Sequence, residues 1–343
     1  MREKLSIKEL CNRILTGMSI GIIVALVPSA LLGEVAKLFG FEIIVSITTI
    51  ASRLAALVMG LCIAMQFKFT PIQSGTLAIA TMIGSGALKI TESGFILEGM
   101  GDVINAGITA IIATVLIILI GDKLKAYTVL ILPTIVIVIA GYIGILTLPY
   151  VGIMTELIGN SVAKITDLQP VLMGIIMAVA FAIIIISPIS SVGISLAVSL
   201  SEIASGTANL GICAAGFTLA VLGLSVNGLG TSAAHFLGSP KMQMANFMKK
   251  PIMIIPVLFS SAIIGLVGAV AGIQGTPMSA GFGISGLIGP INNLNIVGYG
   301  LGQVITTITV FIVLPLLLGY ISKVIFMDKL KIVKAEDYLV ELK

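Results

Sequence analysis

Few residues of this 343-residue chain are equipped for chemistry, and most of those lie in short polar blocks. The single histidine, His235, ends the run Asn227-Gly228-Leu229-Gly230-Thr231-Ser232-Ala233-Ala234-His235. One imidazole without nearby carboxylates or thiolates cannot make a typical zinc site. It can bind a solute or carry a proton, or sit at an interface as a polar end residue. Three blocks share the order polar-Pro-apolar-polar: Thr70-Pro71-Ile72-Gln73, Ser187-Pro188-Ile189-Ser190 and Thr276-Pro277-Met278-Ser279. Asn292, Asn293 and Asn295 follow the third. Hydroxyls and amides in such places bind solute hydroxyls or satisfy broken backbone. The candidate solute-binding set is Gln73, Ser190, Asn227, His235, Thr276, Ser279 and Asn292.

Other constellations carry less. Arg53 interrupts an apolar run, and an ionisable residue at membrane depth is a functional candidate by default. It would face an anionic solute, neutralise a partner or form a structural ion pair. Asp102 and Asn105 are placed to cap the helix that follows them. Gly281-Phe282-Gly283-Ile284-Ser285-Gly286 matches GxGxxG, but no acidic residue follows at about 20 positions, as a dinucleotide site requires. Its glycines instead allow close backbone approach. Cys11, Cys62 and Cys213 are far apart and form no CxxC pair, so they read as small core hydrophobes. No Ser-His-Asp set, acidic pair, P-loop or nucleophilic cysteine motif stands out. The expectation is no catalytic residue, no metal and no cofactor, and no stand-alone enzyme.

The elements that must position these blocks are membrane helices. Hydrophobic residues make up 58% of the chain and charged ones 10%, against about 25% charged in soluble domains. From Pro251 to Ser322 there are 72 residues without one Asp, Glu, Lys, Arg or His. One span needs about 20 apolar residues. Apolar runs at 14–33, 43–66, 104–121, 127–148, 170–187, 207–226, 251–272 and 296–320 predict eight spans. The first reads as a transmembrane helix and not a cleaved signal peptide. With the N-terminus inside, alternation puts 15 basic residues in the cytoplasm, Arg2, Lys4 and Lys343 among them, and only Lys37, Lys123 and Lys125 outside. Both termini are therefore expected to be cytoplasmic. The net charge of +4 follows from that distribution and does not imply nucleic acid.

Segments 70–89, 187–203, 227–246 and 274–293 are apolar yet broken by Gly, Pro, Ser, Thr or Asn. Proline removes a backbone donor, and unpaired backbone survives in a membrane only where protein or a wet cavity satisfies it. Such interrupted segments point to a solute site near the midplane. The block 276–283 in particular is expected to re-enter the membrane, with Pro277 and Ser279 beside the solute path. The tail 326–343 is charged and amphipathic and is expected to form a short cytoplasmic or interfacial helix.

Several of these blocks carry a family resemblance. Thr70 to Gln73, Gly84-Ser85-Gly86-Ala87, Gly101 to Asn105, Leu148-Pro149-Tyr150-Val151 and Leu168-Gln169-Pro170 resemble the membrane IIC permeases of the phosphoenolpyruvate-dependent sugar phosphotransferase system. Ser187 to Gly193, Gly238 with Lys241-Met242 through Pro251, and Gly275 to Gly283 with Gly286 to Pro290 do so too. The branch resembled includes perfringolysin O regulator-like proteins. The resemblance implies an all-α, polytopic, IIC-like bundle of about 8–10 spans with re-entrant or broken-helix hairpins. It implies one membrane domain over 1–325, with halves at about 14–165 and 166–325. It further implies a homodimer in the cell membrane and elevator-like movement of a sugar or related solute. Phosphoryl transfer would need separate IIA and IIB proteins, and Gly275-Thr276-Pro277 lacks the glutamate of the Gly-Ile-Thr-Glu-Pro type motif. The rival reading is a membrane sensor that binds a solute without phosphoryl transfer.

Overall fold

The computed structural model describes residues 6–92, 94–120, 123, 125–277 and 279–341. Arg2, Lys4, Met278 and Lys343 lie outside these. The chain begins Ile7–Pro28 (α1), Glu34–Leu38 (α2), Glu42–Arg53 (α3), Ala55–Gln66 (α4) and Pro71–Gly84 (α5). The strands Leu88–Thr91 (β1) and Gly94–Leu97 (β2) follow, then Val103–Ile120 (α6) and Thr128–Ile165 (α7). Next come Pro170–Ile186 (α8), Ser191–Ala197 (α9), Glu202–Leu222 (α10), Leu224–Leu237 (α11) and Met244–Lys249 (α12). Ile255–Val270 (α13), Ile288–Val297 (α14), Leu301–Ile308 (α15) and Leu314–Ser322 (α16) complete the series.

The fold is all-α, as expected, apart from one small antiparallel hairpin pairing Leu88 with Leu97. Each of the eight predicted spans has a helical counterpart. Among the described residues six helices are long and apolar enough to cross a membrane alone. A seventh span is α3 and α4 together, bent by 53° at Arg53. The eighth, α8, is a shorter apolar helix. Arg53 therefore does not sit inside a continuous helix. It is exposed at the bend and donates from Nη1 to the Leu97 carbonyl of the hairpin at 3.1 Å.

The segment 70–89 also differs from its expectation, because α5 is intact for 14 residues. Pro71 occupies the first helical turn, where its missing N–H costs no hydrogen bond. Thr70 and Gln73 close a reciprocal capping box there, with bonds of 3.4 and 3.0 Å.

The chain folds as two compact units. The first runs to Pro28 and resumes over Ser46–Ile153. Glycines set its helix packing. A Cβ on Gly17 would lie 2.5 Å from Ile63 Cα, and one on Gly60 would lie 2.6 Å from Ala78 Cα. These backbones touch because nothing larger than hydrogen stands between them. Asn105 is fully buried at the centre of this unit. Its Nδ2 donates to the Gly84 carbonyl at 2.5 Å and the Gly144 carbonyl at 2.7 Å. Its Oδ1 accepts from Thr147 at 2.7 Å. Asp102 caps α6 by accepting from the Asn105 N–H at 2.7 Å, so of the two expected caps Asp102 is one and Asn105 is a bridge.

The second unit comprises Ser29–Val45 and Met154–Glu341. Its centre is α10, packed against α8 and α13, which also pack on each other. A Cβ on Gly211 would lie 2.6 Å from Ala178 Cα, and one on Gly174 would lie 2.8 Å from the Gly265 carbonyl. Around this core the segments 187–203, 227–246 and 274–293 are broken as expected. Gly228 interrupts α11 with φ 72°, and Gly281, Gly283 and Gly286 carry positive φ between α13 and α14.

The tail departs from the expected helix. Beyond Lys329 it runs as an extended strap with one 3-10 turn, Ala335–Tyr338. Val333 and Tyr338 are both buried. Five residues apart, they would point about 140° from each other on a helix, so a helix could not bury both against one surface.

Candidate functional site

The interrupted backbone between α13 and α14 is held by side chains of neighbouring helices in the second unit. The Gly275 N–H donates to the Glu202 carbonyl at 3.0 Å, and Ser205 Oγ donates to the Thr276 carbonyl at 2.9 Å. Ser279 Oγ accepts from the Thr276 N–H at 2.9 Å, and Thr276 Oγ1 accepts from the Ser279 N–H at 3.3 Å. Further along, Ser191 Oγ donates to the Gly281 carbonyl at 2.8 Å. Ser195 Oγ lies 2.9 Å from the Ala280 carbonyl. The Gly283 N–H reaches Asn209 Oδ1 at 3.0 Å. Ser279 is 1% exposed and Ala280 fully covered. The block is thus a folded-in loop whose polar backbone is satisfied by protein, the condition a charge-free break requires.

Immediately beside it a cleft of about 250 Å³ opens between Ala271–Ile273, α14 and α15. Its polar wall is Asn293, Gln303, Thr306 and Thr307, and Val297 and Gly302 complete the rim. Asn293 is a structural anchor: its Oδ1 accepts from the Gln274 N–H, and its Nδ2 donates to Thr307 Oγ1, both at 2.9 Å. Thr307 in turn donates to the Gln303 carbonyl at 2.7 Å. Among the described residues no protein partner engages the Gln303 side chain or the Thr306 hydroxyl, so both face the cleft with hydrogen-bonding capacity to spare. The adjacent Asn292 keeps a buried Oδ1 without a partner. The cleft lies within the charge-free stretch 251–322, so its chemistry is neutral donors and acceptors. Its volume is at the small end of ligand sites, which run to roughly 300–1,000 Å³ for drug-sized molecules.

The candidates from sequence are distributed unevenly. Thr276 and Ser279 bond each other, and Asn292 lies on α14 next to Asn293. Ser190 accepts from the Gly193 N–H at 2.9 Å, opening α9. Gln73 belongs to the first unit, as the cap partner of Thr70. Asn295 accepts from the Tyr299 hydroxyl at 2.6 Å on the surface.

Asn227 and His235 meet in a separate polar network under the strap. His235 is fully buried. Its Nδ1 lies 3.0 Å from the Thr231 carbonyl and its Nε2 2.9 Å from Gln243 Nε2. That pairing assigns Nδ1 the proton and makes Nε2 the acceptor. Gln243 Nε2 and Asn227 Nδ2 both donate to the Tyr338 carbonyl, at 2.8 Å each. Nearby, Lys241 Nζ donates to the carbonyls of Ser187 and Ile189, each at 2.6 Å, closing the backbone that Pro188 breaks.

Gln303, Thr306 and Thr307 were not among the sequence candidates. Their signal was present: spacings of three and four put them on one helical face inside an otherwise apolar run.

A family model described as "Phosphotransferase system, EIIC" matches residues 12–340 of the chain. Neither a curated protein nor a solved structure matches it. The apolar helices among the described residues and the family match agree in making this a multi-pass membrane protein.

Proposed function

The chain belongs to the EIIC family of the phosphotransferase system, and from that premise we propose that its cleft at α14 and α15 is the sugar-binding site of a permease. The observation that carries this reading is the pairing of unengaged polar groups, Gln303 and Thr306, with a monosaccharide-sized space. A sugar presents several hydroxyls, each both donor and acceptor, and amide and hydroxyl side chains answer both roles. The charge-free surroundings suit a neutral solute.

Asn293 holds Gln274 and Thr307 in place, so the wall is built before solute arrives. The glycine-rich block 275–283 supports access, since small residues let backbone approach a ligand closely. In this reading the solute-holding unit moves by an elevator-like displacement, and separate IIA and IIB proteins supply the phosphoryl group. A homodimer with both termini in the cytoplasm completes the proposal, the orientation resting on the 15-to-3 distribution of basic residues.

A thermal-shift screen of the detergent-solubilised protein against sugars, sugar alcohols and sugar acids tests it, because a ligand of the folded form raises apparent stability. A neutral sugar is expected to stabilise the parent chain. Gln303→Leu should weaken that sugar's binding about 2- to 10-fold, the worth of one neutral hydrogen bond, without lowering the ligand-free melting point. Undiminished affinity in Gln303→Leu and Thr306→Val would place the site elsewhere.

A further inference from the structure

The C-terminal strap makes more directed contacts than a passive tail needs. Asn227 uses both ends of its amide on it: Nδ2 donates to the Tyr338 carbonyl at 2.8 Å, and Oδ1 accepts from the Val340 N–H at 2.8 Å. Gln243 donates to the same Tyr338 carbonyl at 2.8 Å. Asn246 donates to the Leu339 carbonyl at 2.7 Å, and Lys250 pairs with Asp337 at 2.6 Å. The Tyr338 ring is fully buried, with its hydroxyl donating to the Met253 carbonyl at 2.9 Å. Burial pushes that phenol well above the usual tyrosine range, so it stays a donor at any physiological pH.

These donors do not all come from one rigid element. Asn227 precedes the break at Gly228, where φ is 72° and ψ is 173°. Gln243, Asn246 and Lys250 follow it. The Tyr338 carbonyl therefore accepts one bond from each side of the break. Gly228, Leu229 and Gly230 are exposed, Leu229 by 80%, and a Cβ on Gly228 or Gly230 would touch nothing within 4 Å. Nothing packs on Gly228 itself; beyond it Phe236 stacks on Phe217 at 4.3 Å, and the strap bonds the chain on both sides of the break. For the break to open or close, Asn227 or Gln243 must release the shared carbonyl.

We infer that residues 335–340 are a latch across the Gly228 break, which holds α11 and the 240–250 segment at one angle and must let go for that angle to change. The latch stands whether or not the cleft at α14 and α15 binds a sugar, because it rests on the strap contacts alone.

Amide hydrogen exchange of the full chain in nanodiscs tests it, comparing the parent with Asn246→Ala and with a chain ending at Lys334. Truncation is expected to speed exchange of peptides over 224–250 at least tenfold, and Asn246→Ala about 2- to 10-fold, the worth of one neutral hydrogen bond, with peptides over α10 unchanged. A synthetic peptide of residues 332–343 added to the truncated chain should restore slow exchange. Unchanged exchange over 224–250 in the truncated chain overturns the latch. So does acceleration spread equally over α8, α10 and α13, which would make the tail an ordinary part of the core. If truncation unfolds the chain, Asn246→Ala decides alone, since it removes one bond to the strap and leaves Tyr338 in place.

Discussion

Replacing Asn105 by leucine removes the polar hub of the first unit, and because leucine keeps the branched skeleton and is the larger side chain, no cavity complicates the result. The side chain makes three bonds, to the Gly84 carbonyl, the Gly144 carbonyl and the Thr147 hydroxyl. Side-chain hydrogen bonds between membrane helices average about 0.6 kcal/mol, which gives roughly 2 kcal/mol for the set. The three acceptors and donors do not suffer equally. Thr147 retains the Gly144 carbonyl at 3.1 Å. Gly84 is the last residue of α5, so its carbonyl has no N–H of its own helix to fall back on. Leaving that group buried and unpaired adds about 1–3 kcal/mol. The expected cost of Asn105→Leu is therefore roughly 3–5 kcal/mol. The chain has no tryptophan, so the assay is reversible unfolding by SDS in mixed micelles, followed by far-ultraviolet circular dichroism. Thr147→Val removes a hydroxyl that reaches both Asn105 Oδ1 and the Gly144 carbonyl and leaves the buried Oδ1 unpaired, so it should cost about 1–3 kcal/mol. A loss below 1 kcal/mol for Asn105→Leu would refute the stranded-carbonyl reasoning.

Three further outcomes are expected. Gly211→Val drives a Cβ to 2.6 Å from Ala178 Cα and should destabilise by about 1–3 kcal/mol, while Gly75→Ala, with nothing within 4 Å, should be neutral or stabilising by about 0.5–1 kcal/mol; the same micelle titration measures both. Gly281→Leu places a Cβ 2.7 Å from the Val192 nitrogen at a residue with φ +99°, so it should abolish binding of any sugar found by thermal shift even where size-exclusion chromatography shows a folded protein. In intact cells Lys37→Cys should react with an impermeant thiol reagent and Glu336→Cys should not; labelling of Glu336→Cys would reverse the orientation. Glu336 is exposed in the structure, whereas the neighbouring Tyr338 is too buried to report on sidedness.

Hydrophobic run length was enough to place the helices, because each apolar run must be covered by lipid or protein. It did not show where a run bends. Ala51-Ser52-Arg53-Leu54 reads as continuous helix, yet the chain turns by 53° there, beside an Arg53 that reaches a carbonyl 44 positions along. The proline blocks looked equivalent in sequence, yet Pro71 starts a helix while Pro188 and Pro277 interrupt the chain. The Pro71 and Pro277 blocks both close a local reciprocal pair, Thr70 with Gln73 and Thr276 with Ser279, but the 277 block also needs Ser191, Ser195 and Ser205 from distant positions. Asn227 and His235 stood out as polar residues in an apolar segment, but their partners, Gln243 and the strap backbone, leave no mark on residue type. Backbone carbonyls are the same at every position. The cleft residues Gln303, Thr306 and Thr307 were hidden by the apolar average of the last span, and only their helical spacing sets them apart.

The helix α7 has a consequence for the membrane that surrounds the protein. Within the first unit it runs from Thr128 to Ile153 without a charged residue. At about 1.5 Å per residue that is roughly 39 Å of apolar helix, against a hydrocarbon layer of about 30 Å. An upright helix would leave roughly 9 Å of oily surface in the headgroups. Leaning by about 40° hides it, near the upper end of tilts that membrane helices adopt. Thicker bilayers would let α7 stand straighter and thinner ones would press it flatter, so its lean is expected to follow lipid chain length.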